Sequence, residues 1–222
     1  MKIGLYFGSF NPIHTGHLVI ASYMAEFTGL DQVWLVVSPH NPLKSKETLL
    51  ADHHRLQMVR LAIGDYRKLK ASDIEFSLPK PSYTIHTITY LKEKHPEYEF
   101  VLIMGADNLE TFTKWKNWEQ ILEMVELYVY PRKASDGGEL LHHPKVKVVD
   151  APMMELSATF IRDSIRDRKD VRYMMPSQRD VTQILATLVQ ACHELVPPDV
   201  LAPVLRQLCD QFVHDKARPE VA

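Results

Sequence analysis

Cysteine is scarce in this chain of 222 residues: there are two, Cys192 and Cys209, both in the last quarter. That scarcity disfavours a disulfide framework or a thiolate metal site, and a reducing cytoplasm is the compartment that fits. No apolar run approaches membrane-spanning length. The short apolar stretch after Lys2 is cut by Gly8 with no cleavage-site pattern, so no signal peptide is read. Excess charge is missing as well: 26 basic and 28 acidic residues leave a formal charge of -2. Bulk electrostatics therefore gives no case for nucleic acid, and any anion must be held by a local site. The usual nucleophiles are absent too, since no elbow serine, reactive cysteine or obvious carboxylate pair can be picked out.

What the chain does have is alternation. "KIGLYF", "QVWLVVS", "YEFVLIMG", "ELYVY" and "VKVVD" are short, rich in Val, Ile, Leu and Tyr, and nearly continuous in apolar character. Strands buried on both faces look like this. Between them lie helical windows: "GHLVIASYMAEFTG" ends at Gly29, "ADHHRLQMVRLAIGD" follows, and "SYTIHTITYLKEKHP" stops at a proline. The order predicts an α/β fold, a Rossmann-like doubly wound parallel sheet with helices on both faces and ligands at the carboxyl ends of its strands. The pattern changes near "MMPSQRD", giving expected units of residues 1–178 and 179–222. In the second, two amphipathic windows joined by Pro197-Pro198 read as a C-terminal helical hairpin with the look of one unit of a helical repeat array. Leu185, Leu188, Leu205 and Phe212 lie on its apolar faces, which must be covered or favour association. An oligomerisation hairpin, a partner-binding unit and sequence joined from an unrelated helical-repeat protein all remain open for it.

The stretch "GSFNPIHTGH", residues 8–17, follows the first strand. Gly8-Ser9 allows a turn whose N–H groups can face a ligand. The next helix opens near Thr15 or Gly16, so its free N–H groups and positive dipole end face the same space, where His14 and His17 also stand. These features converge on a phosphate chain. A histidine pair at i,i+3 could also ligate zinc, but no third ligand is evident nearby and the strand-turn-helix context favours anions.

This stretch closely resembles the GxFxPxHxGH signature of the (H/T)xGH nucleotidylyltransferase superfamily, whose members share a Rossmann-like fold and transfer a nucleotidyl group. "ELSATFIR", residues 155–162, is similar to that superfamily's second signature, ISSTxIR, with Ser157, Thr159 and Arg162 matching and Ala158 in place of the usual second serine. Read physically, it is an N-capped helix start. "GADNLETFTKWKNW", residues 105–118, resembles the GxDxLxxFxxW segment of bacterial nicotinate-nucleotide adenylyltransferases, and Trp115 matches the tryptophan of the pyridine pocket. "NPLK" at 41–44, "PSYTI" at 81–85 and "YPR" at 130–132 also match, so the resemblance covers residues 1 to about 178.

The resemblance implies adenylyl transfer from ATP to nicotinate mononucleotide, releasing pyrophosphate, in NAD biosynthesis. It gives catalytic contacts to His14, His17, Arg162 and Ser157. It assigns Gly8, Ser9, Phe10, Gly16, Thr159, Asp107 and Arg132 to ATP, and Lys44, Tyr83, Thr84, Gly105 and Trp115 to the pyridine nucleotide. Asp107 can equally be a helix N-cap. A mononucleotide phosphate is already ionised near neutral pH, so no general base is needed, and the enzyme supplies positioning and charge compensation. Mg2+ is expected with ATP, held mostly by phosphate and water, with no dedicated protein cage and no tightly bound organic cofactor. No nucleic acid or membrane partner is expected, a homo-oligomer is open, and the tail's partner is unknown. Nicotinamide mononucleotide and phosphopantetheine stay as alternative acceptors, and an inactive nucleotide-binding assembly protein is the alternative of another class.

Overall fold

A computed structural model describes residues 1–39, 49–133 and 135–176. Lys44 and the hairpin expected in 179–222 lie outside these residues. Six strands form one sheet: β1 (Lys2–Gly8), β2 (Gln32–Val37), β3 (Leu69–Ser72), β4 (Glu99–Gly105), β5 (Glu126–Tyr130) and β6 (Val146–Val148). Their order is β3-β2-β1-β4-β5-β6 and every neighbouring pair is parallel. The expected doubly wound sheet is therefore observed. β3, with the sequence LKAS, was not foreseen: it sits at the sheet edge with Lys70 exposed and lacks the buried run of the central strands.

Alternation along the strands sorts the core into two layers. Tyr6, Val33, Leu35, Val37, Val101 and Ile103 face one side, while Ile3, Leu5, Trp34, Val36, Phe100 and Leu102 face the other. The first layer packs against helices α1 (Thr15–Phe27), α2 (Asp52–Ile63) and α6 (Ala158–Arg166) through Met24, Met58, Val59 and Ile161. The second packs against α3 (Thr84–Lys94), α4 (Ala106–Glu110) and α5 (Trp118–Met124) through Ile88, Leu91, Leu109 and Ile121. Each fully buried aliphatic side chain contributes roughly 2 kcal/mol, so both faces of the sheet must be covered.

The helix ends follow local chemistry. Beyond α1, Gly29 takes φ 75°, a left-handed conformation that a side chain disfavours. Gly64 does the same after α2 with φ 54°. α3 ends one residue before His95, which precedes Pro96. β1 runs out to β2 on one side while β4 lies on its other side, so the carboxyl ends of β1 and β4 flank the point where the chain's winding reverses. Open α/β sheets hold their ligands at this crevice.

Candidate active site

A cleft of about 360 Å³ opens at that crevice. Gly8 and Ser9 line it from the end of β1, His14 and His17 from the start of α1, and Met104 from β4. Trp115, Arg132, Ser157, Thr159 and Arg162 complete most of the rim. The described lining holds two histidines and two arginines but no carboxylate. Two helix N-termini, those of α1 and α6, open onto it, so its fixed charges and dipoles favour an anion.

The turn after β1 explains why glycine stands at position 8. A Cβ there would lie 2.8 Å from the Phe10 ring, so the missing side chain makes room for an aromatic as well as for a ligand. Phe10, expected among the ATP contacts, is 1% exposed and is absent from the described cleft lining. Its ring packs edge-on against Tyr6 at 6.0 Å and His17 at 5.0 Å, which makes it a support beneath the histidines. Phe10 also carries φ 45°, a costly left-handed backbone for a non-glycine residue. Gly16 is likewise buried below the lining. A Cβ on it would stand 3.1 Å from His14 Nδ1 and 3.5 Å from Leu156 Cβ.

His14 is the N-cap of α1 and His17 its third helical residue. Their rings stack with centroids 3.7 Å apart and planes at 27°. The His14 backbone N–H donates to His17 Nδ1 at 3.3 Å, so a neutral His17 carries its proton on Nε2, leaving that nitrogen as the ring's donor. His14 is 4% exposed. Burial, then the positive charge of Arg132, pulls its pKa down to about 4, so the ring is neutral near pH 7. The unfolded chain binds a proton at His14 that the folded chain refuses between about pH 6.5 and pH 4. Stability is thus full above pH 6.5 and falls as pH is lowered through this window. The expected loss from this group by pH 4 is roughly 3 kcal/mol. Urea midpoints of wild type and His14→Gln between pH 7 and pH 4 check this, since the variant should decline less steeply. Equal slopes would remove His14 as the cause.

The second signature forms the opposite wall. Ser157 caps α6, its Oγ accepting the Phe160 N–H at 3.1 Å, as its sequence pattern predicted. Arg162 donates through Nη1 to the Asn11 carbonyl at 2.6 Å and through Nη2 to Thr159 Oγ1 at 3.2 Å. The arginine is thereby braced against the first signature 151 residues away in sequence. Arg132 donates to the Met154 carbonyl at 2.8 Å, and its guanidinium lies 5.4 Å from the Tyr130 ring centroid. Below it, the Tyr130 and Tyr6 hydroxyls lie 3.3 Å apart. Burial raises the pKa of both phenols, which keeps them neutral hydrogen-bonding groups.

The remaining expected residues are more dispersed. Gly105, not Asp107, is the N-cap of α4, and Asp107 occupies the first turn with its carboxylate 3.7 Å from Arg132 Nε. The N-cap alternative for Asp107 is therefore corrected. A Cβ on Gly105 would collide with Asp107 Oδ1 and stand 3.1 Å from Arg132 Cγ, so this glycine leaves room for the Asp107 carboxylate first and the arginine stem second. Tyr83 caps α3 and Thr84 is its first residue; neither is part of the described lining. Lys116 Nζ sits 4.5 Å over the Tyr83 ring, which links this region to Trp115 through the chain. Trp115 lines the cleft and leans on Phe112 at 5.3 Å, while Trp118 packs on the same Phe112 at 6.3 Å.

Sequence reading missed Tyr6, Tyr130, Asn108 and Leu156, all of which line the cleft. The two tyrosines sit inside apolar runs and read there as core, while Asn108 and Leu156 lie within quoted motifs at positions that carry no separate signal. Arg55, on α2, was also passed over: it is 0% exposed, where an arginine in an amphipathic helix ordinarily reads as a solvated face. No described helix is long and apolar enough to cross a membrane, and no group of three or more metal-ligating side chains is found among the described residues.

Two family models match different parts of the chain. A family model described as Cytidylyltransferase-like matches residues 5–164. A second model, SDA1, HEAT repeat, matches residues 171–222. A protein of Flavobacterium johnsoniae named "Probable nicotinate-nucleotide adenylyltransferase" is 60% identical over 178 residues, covering 79% of this chain and 92% of the relative. One of the same name from Cytophaga hutchinsonii is 55% identical over 178 residues, covering 80% and 93%. Among solved structures, the Plasmodium falciparum nicotinic acid mononucleotide adenylyltransferase complexed with NaAD superposes with a TM-score of 0.69 at 20% identity, covering 86% of this chain and 96% of that one. That likeness establishes the fold.

Proposed function

Because this chain belongs to the cytidylyltransferase-like family, and within it to the nicotinate-nucleotide adenylyltransferases, we propose that it transfers the adenylyl group of ATP to nicotinate mononucleotide in NAD biosynthesis. The observation that carries this reading is the carboxylate-free cleft at the β1–β4 crevice, with two helix N-termini, two histidines and two arginines around it. Such a site takes a polyphosphate, and its described lining offers neither a carboxylate nor a thiol.

In the proposed reaction a mononucleotide phosphate oxygen bonds to the α-phosphorus of ATP. The bond between that phosphorus and the bridging oxygen to the β-phosphate breaks, and its electron pair leaves with pyrophosphate. The acceptor oxygen is already anionic, so no proton has to be removed. The protein's task is in-line positioning and compensation of charge on the phosphates. We assign His14 and His17 to the triphosphate oxygens, with Gly8, Ser9, Thr159 and Arg132 around them and Phe10 and Gly16 as supports. Arg162 and the N-terminus of α6 at Ser157 take the departing pyrophosphate. Trp115 with Gly105, and more distantly Tyr83 and Thr84, would bound the pyridine nucleotide, Lys44 is assigned to it from the sequence resemblance alone, and Asp107 steadies Arg132. Mg2+ enters as part of the ATP substrate and compensates phosphate charge. The cytoplasm is the proposed place of action, in keeping with the cysteine usage.

Pyrophosphate release with MgATP tests the reading, comparing nicotinate mononucleotide, nicotinamide mononucleotide and phosphopantetheine at equal concentrations. Preference for nicotinate mononucleotide is expected. Turnover with another acceptor alone would replace the substrate, and turnover with none would overturn the enzyme reading. Gly16→Ala is expected to lower kcat about tenfold, because the added methyl crowds His14 and small misplacements are costly in such sites; unchanged kcat would mean the ring can give way without loss. We further propose residues 1–178 as the catalytic unit. A chain ending at Gln178 should then keep kcat within about twofold, and loss of all activity would make 179–222 part of the enzyme.

A further inference from the structure

Arg55 is the largest fully buried side chain among the described residues, and its hydrogen bonds go to an unusual set of acceptors. Nε donates to the Leu50 carbonyl at 2.9 Å. Nη1 donates to the carbonyls of Ser9 at 2.6 Å and Ser38 at 2.9 Å. Nη2 donates to the Pro39 carbonyl at 3.4 Å and to Asp52 Oδ1 at 2.7 Å. Burying a guanidinium is expensive, and an apolar residue of similar size would often stabilise a fold as well. A role in packing alone therefore does not account for this arginine. Its four backbone acceptors lie in three segments at the ligand edge of the sheet: the turn after β1, the end of β2, and the approach to α2.

The Ser9 contact is the one that reaches the cleft, because Ser9 lines it. The peptide between Ser9 and Phe10 is trans, and a trans peptide points its N–H opposite its carbonyl. With the Ser9 oxygen drawn onto Arg55, the Phe10 N–H is turned away from the guanidinium. The same grip pins a residue pair whose second member holds the costly φ of 45°, and Phe10 is the ring on which His17 rests at 5.0 Å. A second tether completes the frame: the Leu50 N–H donates to Asn11 Oδ1 at 3.3 Å, so the segment Arg55 holds at Leu50 is bonded in turn to the His14 turn.

We propose that Arg55 is a positioning residue for adenylyl transfer, fixing from beneath the turn that carries the phosphate-contacting groups of residues 8–17. It touches no substrate and acts through the Ser9 peptide and the Phe10–His17 stack. This rests on the adenylyl-transfer reading above. A planar fork is needed, since one guanidinium spans acceptors in three directions, whereas a lysine ammonium is a single point with three donors.

The test uses the full chain carrying Arg55→Lys or Asp52→Ala, the latter removing one anchor of the fork from its outer side. Thermal melting, kcat, both KM values and calorimetric affinity for ATP are measured well below the melting midpoint. For Arg55→Lys the expected result is a folded protein with kcat lowered about 10- to 100-fold, ATP affinity lowered at least tenfold, and KM for the mononucleotide within about threefold. Asp52→Ala should show the same split at about threefold to tenfold. A folded Arg55→Lys with wild-type kcat and ATP affinity would overturn the proposal. So would a loss that affects both substrates equally and disappears on cooling, which marks a fold residue only. If Arg55→Lys does not fold, an unsplit Asp52→Ala overturns it in the same way. Should wild type turn over no acceptor, the adenylyl-transfer reading fails by itself, and the ATP affinities of the variants still decide whether Arg55 sets the turn.

Discussion

His17→Ala lowers turnover by ~10²-fold or more, with melting temperature and the KM for nicotinate mononucleotide little changed. The expectation follows from what the side chain holds together. The imidazole accepts the His14 N–H at 3.3 Å, stacks on the His14 ring at 3.7 Å and rests edge-on against Phe10. Its removal takes away one preorganised donor and also the surface that fixes the neutral His14 ring. Charge on the phosphates grows where these groups converge, so the loss falls on kcat. Steady-state kinetics of the purified variant checks it, and near-wild-type turnover would end the role assigned to His17.

Arg162→Lys lowers kcat to a similar extent, ~10²-fold, and Arg162→Ala lowers it further. Arg162 spends two of its N–H groups on the Asn11 carbonyl and Thr159 Oγ1. The guanidinium has five in a fixed plane, so bracing and phosphate binding can be served together. A lysine serves both poorly, because its three N–H donors radiate from one point and lack the planar fork that spans the two braces and a phosphate. Product inhibition supplies the specific readout: pyrophosphate should inhibit the lysine variant at least tenfold more weakly. Unchanged inhibition by pyrophosphate would move Arg162 away from the leaving group.

Much of the architecture was legible because parallel strands buried on both faces write themselves as apolar runs, and β1, β2, β4 and β5 did so; β6 was found as a strand, yet at the sheet edge its Lys147 and Val148 are exposed and it is not buried on both faces. β3 left no such run, since an edge strand of sequence LKAS needs only Leu69 and Ser72 inside. In the site, His14, His17, Ser157 and Arg162 were visible as two signatures, and the structure brings them to one cleft. The layer beneath was invisible. Phe10 reads as a motif position, yet it supports the histidines from the core. Arg55 reads as the polar face of an amphipathic helix, yet tertiary contact buries it completely. Nothing in a one-dimensional pattern reports that four carbonyls from three separate segments converge on one side chain. Gly8 shows the same limit, because its sequence context suggests ligand approach while the atom that most crowds a Cβ there belongs to Phe10.

The two walls of the cleft touch each other directly. Gly16 lies under His14 and against Leu156, and Arg162 reaches the Asn11 carbonyl from the far end of the domain. Heredity would act on such a pair as on one trait. A substitution in residues 8–17 changes what residues 156–162 must be, so the two segments can drift only together. Exchanging either one alone for its counterpart in a distant relative should then yield a folded but idle protein, and exchanging both should restore it.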